Sequence, residues 1–268
     1  MKLIPKFLRR APRVNVLRLS GVITASSRPG GSGLSDQSLA PLLERAFSKG
    51  KPKAVALIIN SPGGSPAQSS LIGARIRRLS EEKNVPVHAF VEDVAASGGY
   101  WLASAADQIW LDDSSMVGSI GVISAGFGLD QLIARHGVER RVHTAGESKS
   151  MLDPFRPENP EDVARLERIL GQLHDTFIAQ VKTRRGDKLD ESQPLFTGEI
   201  WIGAKAIEVG LADGLAHLGP KMKELFGDKV VLENMSPKRS WMSMLSGGVA
   251  SEAMASLEER ASYARFGL

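Results

Sequence analysis

Ser97 stands in the run Val91-Glu92-Asp93-Val94-Ala95-Ala96-Ser97-Gly98-Gly99-Tyr100. The apolar segment Val85–Val91 ahead of it reads as a buried strand, and Tyr100-Trp101-Leu102-Ala103 behind it continues as a helix. A hydroxyl at such a turn meets backbone N–H groups that have no partner in the helix, and the helix start favours negative charge. That suits a nucleophile whose attack generates an oxyanion. The plain alternative is an N-cap serine followed by packing glycines. Other chemistries find less material. The chain has no cysteine, which excludes disulfides, thiolate catalysis and cysteine-ligated metals. Its histidines, His88, His136, His143, His174 and His217, form neither His-x-x-His nor His-Glu-x-x-His, so neither a metal nor another cofactor is expected.

Strands alternating with helices must carry this turn. Val14–Leu19, Ala54–Ile59, Val85–Val91, Gln108–Leu111, Ile120–Ile123 and Val138–His143 are predicted strands. Leu39–Phe47, Ala67–Leu79, the segment after Ser97, Leu129–Arg135, Glu161–Lys182 and Ala204–Val209 are predicted helices. The pattern predicts an α/β fold with a mostly parallel sheet, βαβ units and flanking helices. Sites in such sheets gather beyond the carboxyl ends of the strands. Two Gly-Gly turns follow strands and belong on that edge, Gly63-Gly64 and Gly98-Gly99.

With 268 residues and 42% apolar content, one sizeable core is expected. The organisation reads as a basic arm at 1–13, a main domain at 14–232 and a tail at 233–268. The net charge is +4, and Lys2, Lys6, Arg9, Arg10 and Arg13 precede any acid. These suit either a solvated tail or contact with an anionic membrane surface. No aromatic interleaving accompanies them, so nucleic acid is not an expected partner. No stretch reaches the roughly 18 apolar residues of a membrane span, and Pro5, Arg9, Arg10 and Pro12 break any signal-peptide core. A cytoplasmic location, peripheral at the inner face of the membrane, is expected. Ser251–Phe266 places Met254, Leu257, Ala261 and Ala264 in one stripe, as an amphipathic docking helix would.

Five segments in order resemble the signal peptide peptidase A family of serine proteases, peptidase family S49, in its short, single-copy form. They are Asn60-Ser61-Pro62-Gly63-Gly64, Ala95–Trp101, Gly118-Ser119-Ile120-Gly121-Val122, Ser148–Phe155 and Gly203–Asp213. The last is shared with the wider Clp protease/crotonase-like superfamily and speaks to fold rather than activity. The resemblance runs from about Val14 to Leu215. It implies a Ser/Lys dyad with Ser97 as nucleophile and Lys149 as general base. It also implies that Ser119 holds the lysine amine and that the N–H groups of Gly64 and Gly98 receive the oxyanion.

A serine hydroxyl needs a neighbouring base, and a lysine is a base only when neutral. At a reference pKa of ~10.4, roughly one lysine in two thousand is neutral at pH 7. Such a lysine therefore needs an apolar, hydroxyl-lined setting. Ser119, Met151, Leu152 and Phe155 fit that, provided Glu147 and Asp153 point away. The implied substrates are unfolded peptides, including remnant signal peptides. The implied assembly is a homo-oligomeric ring, an octamer, with Lys149 of one chain beside Ser97 of its neighbour.

Three alternatives stand beside this. Lys149 can be a solvated loop lysine with His143 as the base. A crotonase-like acyl-CoA enzyme would use the same two-donor hole for a thioester enolate, with carboxylates close by. An inactive scaffold would keep the fold without the chemistry.

Overall fold

Apolar, β-branched segments become strands where a neighbouring strand can take up their backbone groups. The computed structural model describes residues 11–25, 33–146, 148–236 and 260–268. Residues 1–10 of the basic arm and 237–259 of the tail, with most of the expected amphipathic helix, lie outside the described residues.

Three parallel strands form the centre: β1 (Arg13–Ser20), β2 (Ala54–Ser61) and β3 (Val87–Ala96). The first two are joined through helix α1 (Asp36–Ser48) and the next two through α2 (Pro66–Lys83). Both helices start on serine caps, as Ser35 accepts from the Ser38 N–H and Ser65 from the Gln68 N–H. The short helix α3 (Gly98–Ser104) then leads to β4 (Gln108–Leu111) and β5 (Met116–Gly118). β4 pairs with the first half of β3, and β5 with its last residues.

Later in the chain come α4 (Asp130–Arg135), the long α5 (Pro160–Arg185), β6 (Ile200–Ile202), α6 (Gly203–Glu208) and β7 (Gly214–Leu215). They are followed by α7 (Leu218–Phe226) and β8 (Val231–Asn234). The eight-stranded sheet runs β6-β5-β3-β2-β1-β8, with β4 and β7 off this path. Only the β5–β6 pairing is antiparallel. The α/β class with a mostly parallel sheet and flanking helices is therefore the observed one. Val14, Val16, Ala54, Ala56, Phe90 and Trp110 pack with Met222 of α7 in one buried cluster.

Residues Met1–Ile120 with Ala179–Leu268 form one compact unit, and Gly121–Ile178 a second. The first holds nearly all buried side chains. In the second, Phe177 alone among the described residues is a buried hydrophobic, while Ile123, Phe127, Leu132 and Val138 are each more than half exposed.

Two predicted strands are absent. Chain geometry turns at Gly118 and Ser119, with φ of 104° and 49°, so β5 ends before Ile120 and Ile120–Ile123 is not a strand. Val138–His143 has strand-like composition but no strand beside it, and β propensity without a ladder partner does not hold a strand. His88 is a core residue on β3; its Nδ1 lies 3.4 Å from Trp110 Nε1, and burial lowers its pKa.

The Gly210-Leu211-Ala212-Asp213 turn is a structural clasp. Tyr100 of α3 donates its buried hydroxyl to the Leu211 carbonyl at 2.8 Å. Asp213 accepts from the Ile109 N–H and from Arg185, each at 2.8 Å, and from Lys188 at 2.6 Å. Burial pushes the Asp213 carboxyl up, but these donors outweigh it and leave the pKa below the ordinary value. Because the folded pKa is the lower one, the stabilisation is complete above the unfolded value of about 3.9 and fades as pH falls through the folded one. Asp213→Asn leaves the buried Arg185 without its counter-charge and is expected to cost about 3–5 kcal/mol. Thermal melts from pH 7 to pH 2 check this. The wild type loses its advantage over Asp213→Asn only at the acid end, and parallel curves would exclude an ionised Asp213.

Candidate active site

Parallel pairing brings the carboxyl ends of β2, β3 and β5 to one edge. Ala96 is in register with Gly118, and the Ser97 N–H donates to the Gly118 carbonyl at 2.9 Å. Ser97 and Ser119 are therefore the next residues along two neighbouring strands. Both are half-buried, and both leave the sheet with positive φ, 52° and 49°.

Ser97 has the position of an N-cap without its bond. Its φ of 52° and ψ of −123° are unfavourable for a residue with a Cβ, and its side chain makes no capping hydrogen bond. A cap serine would gain about 1 kcal/mol from such a bond, whereas backbone of this kind costs of order 1–3 kcal/mol. The capping explanation of Ser97 is thus removed.

What holds the strained turn is the other Gly-Gly segment. A Cβ on Gly63 would lie 2.7 Å from the Gly98 nitrogen and 2.8 Å from both the Ala96 carbonyl oxygen and Ser97 Cβ. A Cβ on Gly64 would lie 2.1 Å from the Ile23 carbonyl oxygen. Both glycines have positive φ, 98° and 142°. The two turns thus pack backbone to backbone, which only glycine allows.

Donor bookkeeping separates the two glycines. The Gly63 N–H donates to Ser61 Oγ at 3.2 Å, and that buried hydroxyl donates to the Gly21 carbonyl at 2.7 Å. Ile23 donates to the Gly63 carbonyl and accepts from the Ser65 N–H, each at 2.8 Å. A parallel bridge of this form directs the intervening Gly64 N–H away from Ile23. Among the described residues, neither this N–H nor that of Gly98, the first residue of α3, donates to anything. Ser61 and Gly63 escaped the sequence reading as individual site residues, although Asn60-Ser61-Pro62-Gly63-Gly64 had drawn attention to their turn.

Lys149 belongs to the second unit. It lies in the turn region 148–152 with an exposed side chain, so the structure does not place it and Ser97 within one unit. In the same segment Asp153 accepts from the Phe155 N–H at 3.0 Å and from Arg140 at 3.1 Å. Those bonds, the Phe155 N–H first, hold its carboxyl below the ordinary range. Glu147 lies outside the described residues. His143 is exposed and, like Lys149, in the second unit.

The carboxylates at the sheet edge are already engaged. Glu92 accepts from Arg18 at 2.7 Å, and Asp93 from the Asn60 amide at 2.5 Å. A cavity of about 330 Å³ is lined by Ile58, Phe90, Glu92, Asp93, Asp112 and His217, among others. There the Ser114 hydroxyl donates to Asp112 at 2.6 Å, and His217 Nε2 lies 2.9 Å from the same carboxylate. The hydroxyl is spent on the acid rather than on the imidazole, so this cluster is not a Ser-His relay. No group of acids and histidines among the described residues is arranged to hold a metal ion, and no described helix is long and apolar enough to cross a membrane.

Known proteins resemble this chain in sequence and in fold. The chain is 44% identical over 284 aligned residues to a protein of Brucella abortus (strain 2308) named Na(+)/H(+) antiporter NhaA. The alignment takes in 100% of this chain and 39% of that protein. It is 31% identical over 248 residues to the chloroplastic serine protease SPPA of Arabidopsis thaliana, covering 88% of this chain and 36% of that one. The chain thus spans about two fifths of the length of these relatives. The solved structure of a membrane-bound stomatin-specific protease, a lysine-to-alanine mutant in complex with a substrate peptide, superposes with a TM-score of 0.55. That match is at 14% identity and covers 92% of this chain and 100% of that one, a likeness of fold. The model of peptidase family S49 matches residues 80–226, from the end of α2 through Ser97, Ser119, Lys149 and the Asp213 clasp to α7. With more than half of its length matched, the chain belongs to peptidase family S49.

Proposed function

We propose that this chain is a serine endopeptidase that hydrolyses unfolded peptides, remnant signal peptides among them, through a covalent acyl-enzyme. The observation that carries the reading is Ser97 itself. Its hydroxyl has no structural employment, its backbone is strained, and it stands between two glycine turns with spare N–H groups.

In this reading Ser97 Oγ attacks the scissile carbonyl carbon while its proton passes to the neutral amine of Lys149. The carbonyl oxygen becomes an oxyanion and accepts from the N–H groups of Gly64 and Gly98. The tetrahedral intermediate collapses, the C–N bond breaks, and the Lys149 ammonium returns the proton to the leaving amine. Water then attacks the Ser97 ester while Lys149 again takes a proton; the C–Oγ bond breaks, the carboxyl product leaves, and the Lys149 ammonium returns the proton to Ser97 Oγ. Ser119 keeps the amine aimed at Ser97. The serine protease name of the Arabidopsis relative and the lysine-to-alanine mutant of the fold neighbour are in keeping with this chemistry.

The dyad requires Lys149 to be covered, and the second unit supplies a reason for a second copy to cover it. Among the described residues, its exposed Ile123, Phe127, Leu132 and Val138 form no core. Apolar side chains of this number gain stability by association. We infer from this a closed homo-oligomer with the dyad shared between neighbouring chains, and we take its place of action to be the cytoplasmic side of the membrane.

Intact-mass measurement after a fluorophosphonate reagent tests the reaction class. One adduct on Ser97 is expected in the wild type, and none in Lys149→Ala over the same time. An unmodified wild type that also fails to cut unfolded peptides would refute the proposal.

The glycine turn offers a second test. Gly63→Ala drives a Cβ into the Ser97–Gly98 backbone and is expected to lower kcat by about 10²–10³ through misplaced nucleophile and donor. Gly64→Ala meets the Ile23 carbonyl and is expected to lower Tm as well. Unchanged kcat in Gly63→Ala would show that the two turns tolerate separation.

A further inference from the structure

The described C-terminal residues lie on the Asn60–Gly64 turn. Residues 260–264 are helical. From this helix the Tyr263 hydroxyl donates to the Asn60 carbonyl at 2.7 Å and accepts from the Gly21 N–H at 3.3 Å. Arg265 Nη2 donates to the Pro62 carbonyl at 2.9 Å. All of these residues belong to the same compact unit.

The consequence is clearest peptide plane by peptide plane, because each plane joins one residue's carbonyl rigidly to the next residue's N–H. The Asn60–Ser61 plane is held through its carbonyl by Tyr263 and by the Gly21 N–H at 3.0 Å. Arg265 holds the Pro62–Gly63 plane at its carbonyl, and Ser61 Oγ holds it at its N–H. Among the described residues, the Gly63–Gly64 plane is held only at its carbonyl, by the Ile23 N–H, and carries the undonated Gly64 N–H at its other end. Two consecutive glycines make this the softest part of the turn. Fixing the plane before it restricts the rotation about Gly63 that would swing the Gly64 N–H.

We propose that Tyr263 and Arg265 are positioning residues: the C-terminal helix braces the Asn60–Gly64 turn and thereby aims the Gly64 N–H at the oxyanion. The proposal rests on the reading of Gly64 as an oxyanion donor. It assigns the tail a role in rate rather than in substrate capture. Neither side chain touches substrate; both act through backbone carbonyls.

The test uses the full chain with Arg265→Ala, Arg265→Lys and Tyr263→Phe, comparing assembly state, peptide kinetics and amide exchange. Arg265→Ala is expected to lower kcat about 10-fold or more with KM little changed, since misplacement of a reacting group by about 1 Å costs up to 10²-fold. Arg265→Lys keeps one donor for the Pro62 carbonyl and should recover part of the loss. Tyr263→Phe should fall between Arg265→Ala and wild type. Deuterium uptake in fragments spanning residues 60–66 should rise in Arg265→Ala while the β2 and β3 fragments stay protected.

Two results would overturn the brace: unchanged kcat with unchanged exchange at 60–66, or increased activity in Arg265→Ala, which would make the tail an obstruction. A wild type that neither cuts peptides nor reacts with the fluorophosphonate refutes the peptidase reading instead. The exchange measurement then still decides whether the tail holds the turn.

Discussion

Ser97→Ala is expected to abolish peptide hydrolysis and leave assembly and melting temperature nearly unchanged. Removing a covalent nucleophile lowers kcat by about 10⁴–10⁶ in enzymes of this kind of chemistry. The hydroxyl makes no capping bond, so its removal leaves no buried partner unsatisfied. Ser97→Gly sharpens the separation of roles. It removes the Cβ from a backbone at φ 52° and is expected to be as inactive as Ser97→Ala but no less stable. A Ser97→Ala protein turning over peptide at the wild-type rate would sink the nucleophile assignment. A large loss of Tm in both variants would return Ser97 to a structural role.

Lys149→Arg is the second variant of large effect. Arginine preserves charge and length but cannot deprotonate, so it is expected to be as inactive as Lys149→Ala, about 10⁴-fold or more below wild type. Substantial activity in Lys149→Arg would reduce the residue to an electrostatic aid and move attention to His143. Because Lys149 is exposed in the single chain, the shared-site proposal makes a further demand. Co-expressed Ser97→Ala and Lys149→Ala chains should regain partial activity in hybrid assemblies, where some intact Ser97 meets an intact Lys149. Verified hybrids that stay inactive, with each parent assembling normally, would place the dyad within one chain.

The strands and helices around Ser97 were legible because they are long, apolar and regularly patterned. The carboxyl-edge position of both glycine turns followed from that alone. The short β5, β6, β7 and β8 were not legible, since two to four residues carry too little pattern and exist only through the strands they pair with. Val138–His143 shows the reverse case, strand-like residues for which the fold provides no neighbour. The strain at Ser97 was equally hidden: it depends on the approach of Gly63, which the fold brings across from the end of β2. The spare state of the Gly64 N–H depends on Ile23, and the contacts of Tyr263 and Arg265 on a segment two hundred residues away in the chain. Local sequence can name such residues, but only packing shows which of their atoms are left free.

The pairing of β1 with β8 sets an order of events on the ribosome. Arg13–Val16 emerges more than two hundred residues before its outer partner, Val231–Asn234. Until synthesis has passed Asn234, that edge of the sheet carries unpaired backbone groups beside buried Val14 and Val16, the kind of edge that recruits foreign strands. Long-range parallel pairing of this sort is slow to form. Chains that lack β8 are therefore expected to aggregate more readily than chains that include it. The same delay keeps the Gly21–Asn60 end of the site unfinished until Tyr263 has been added.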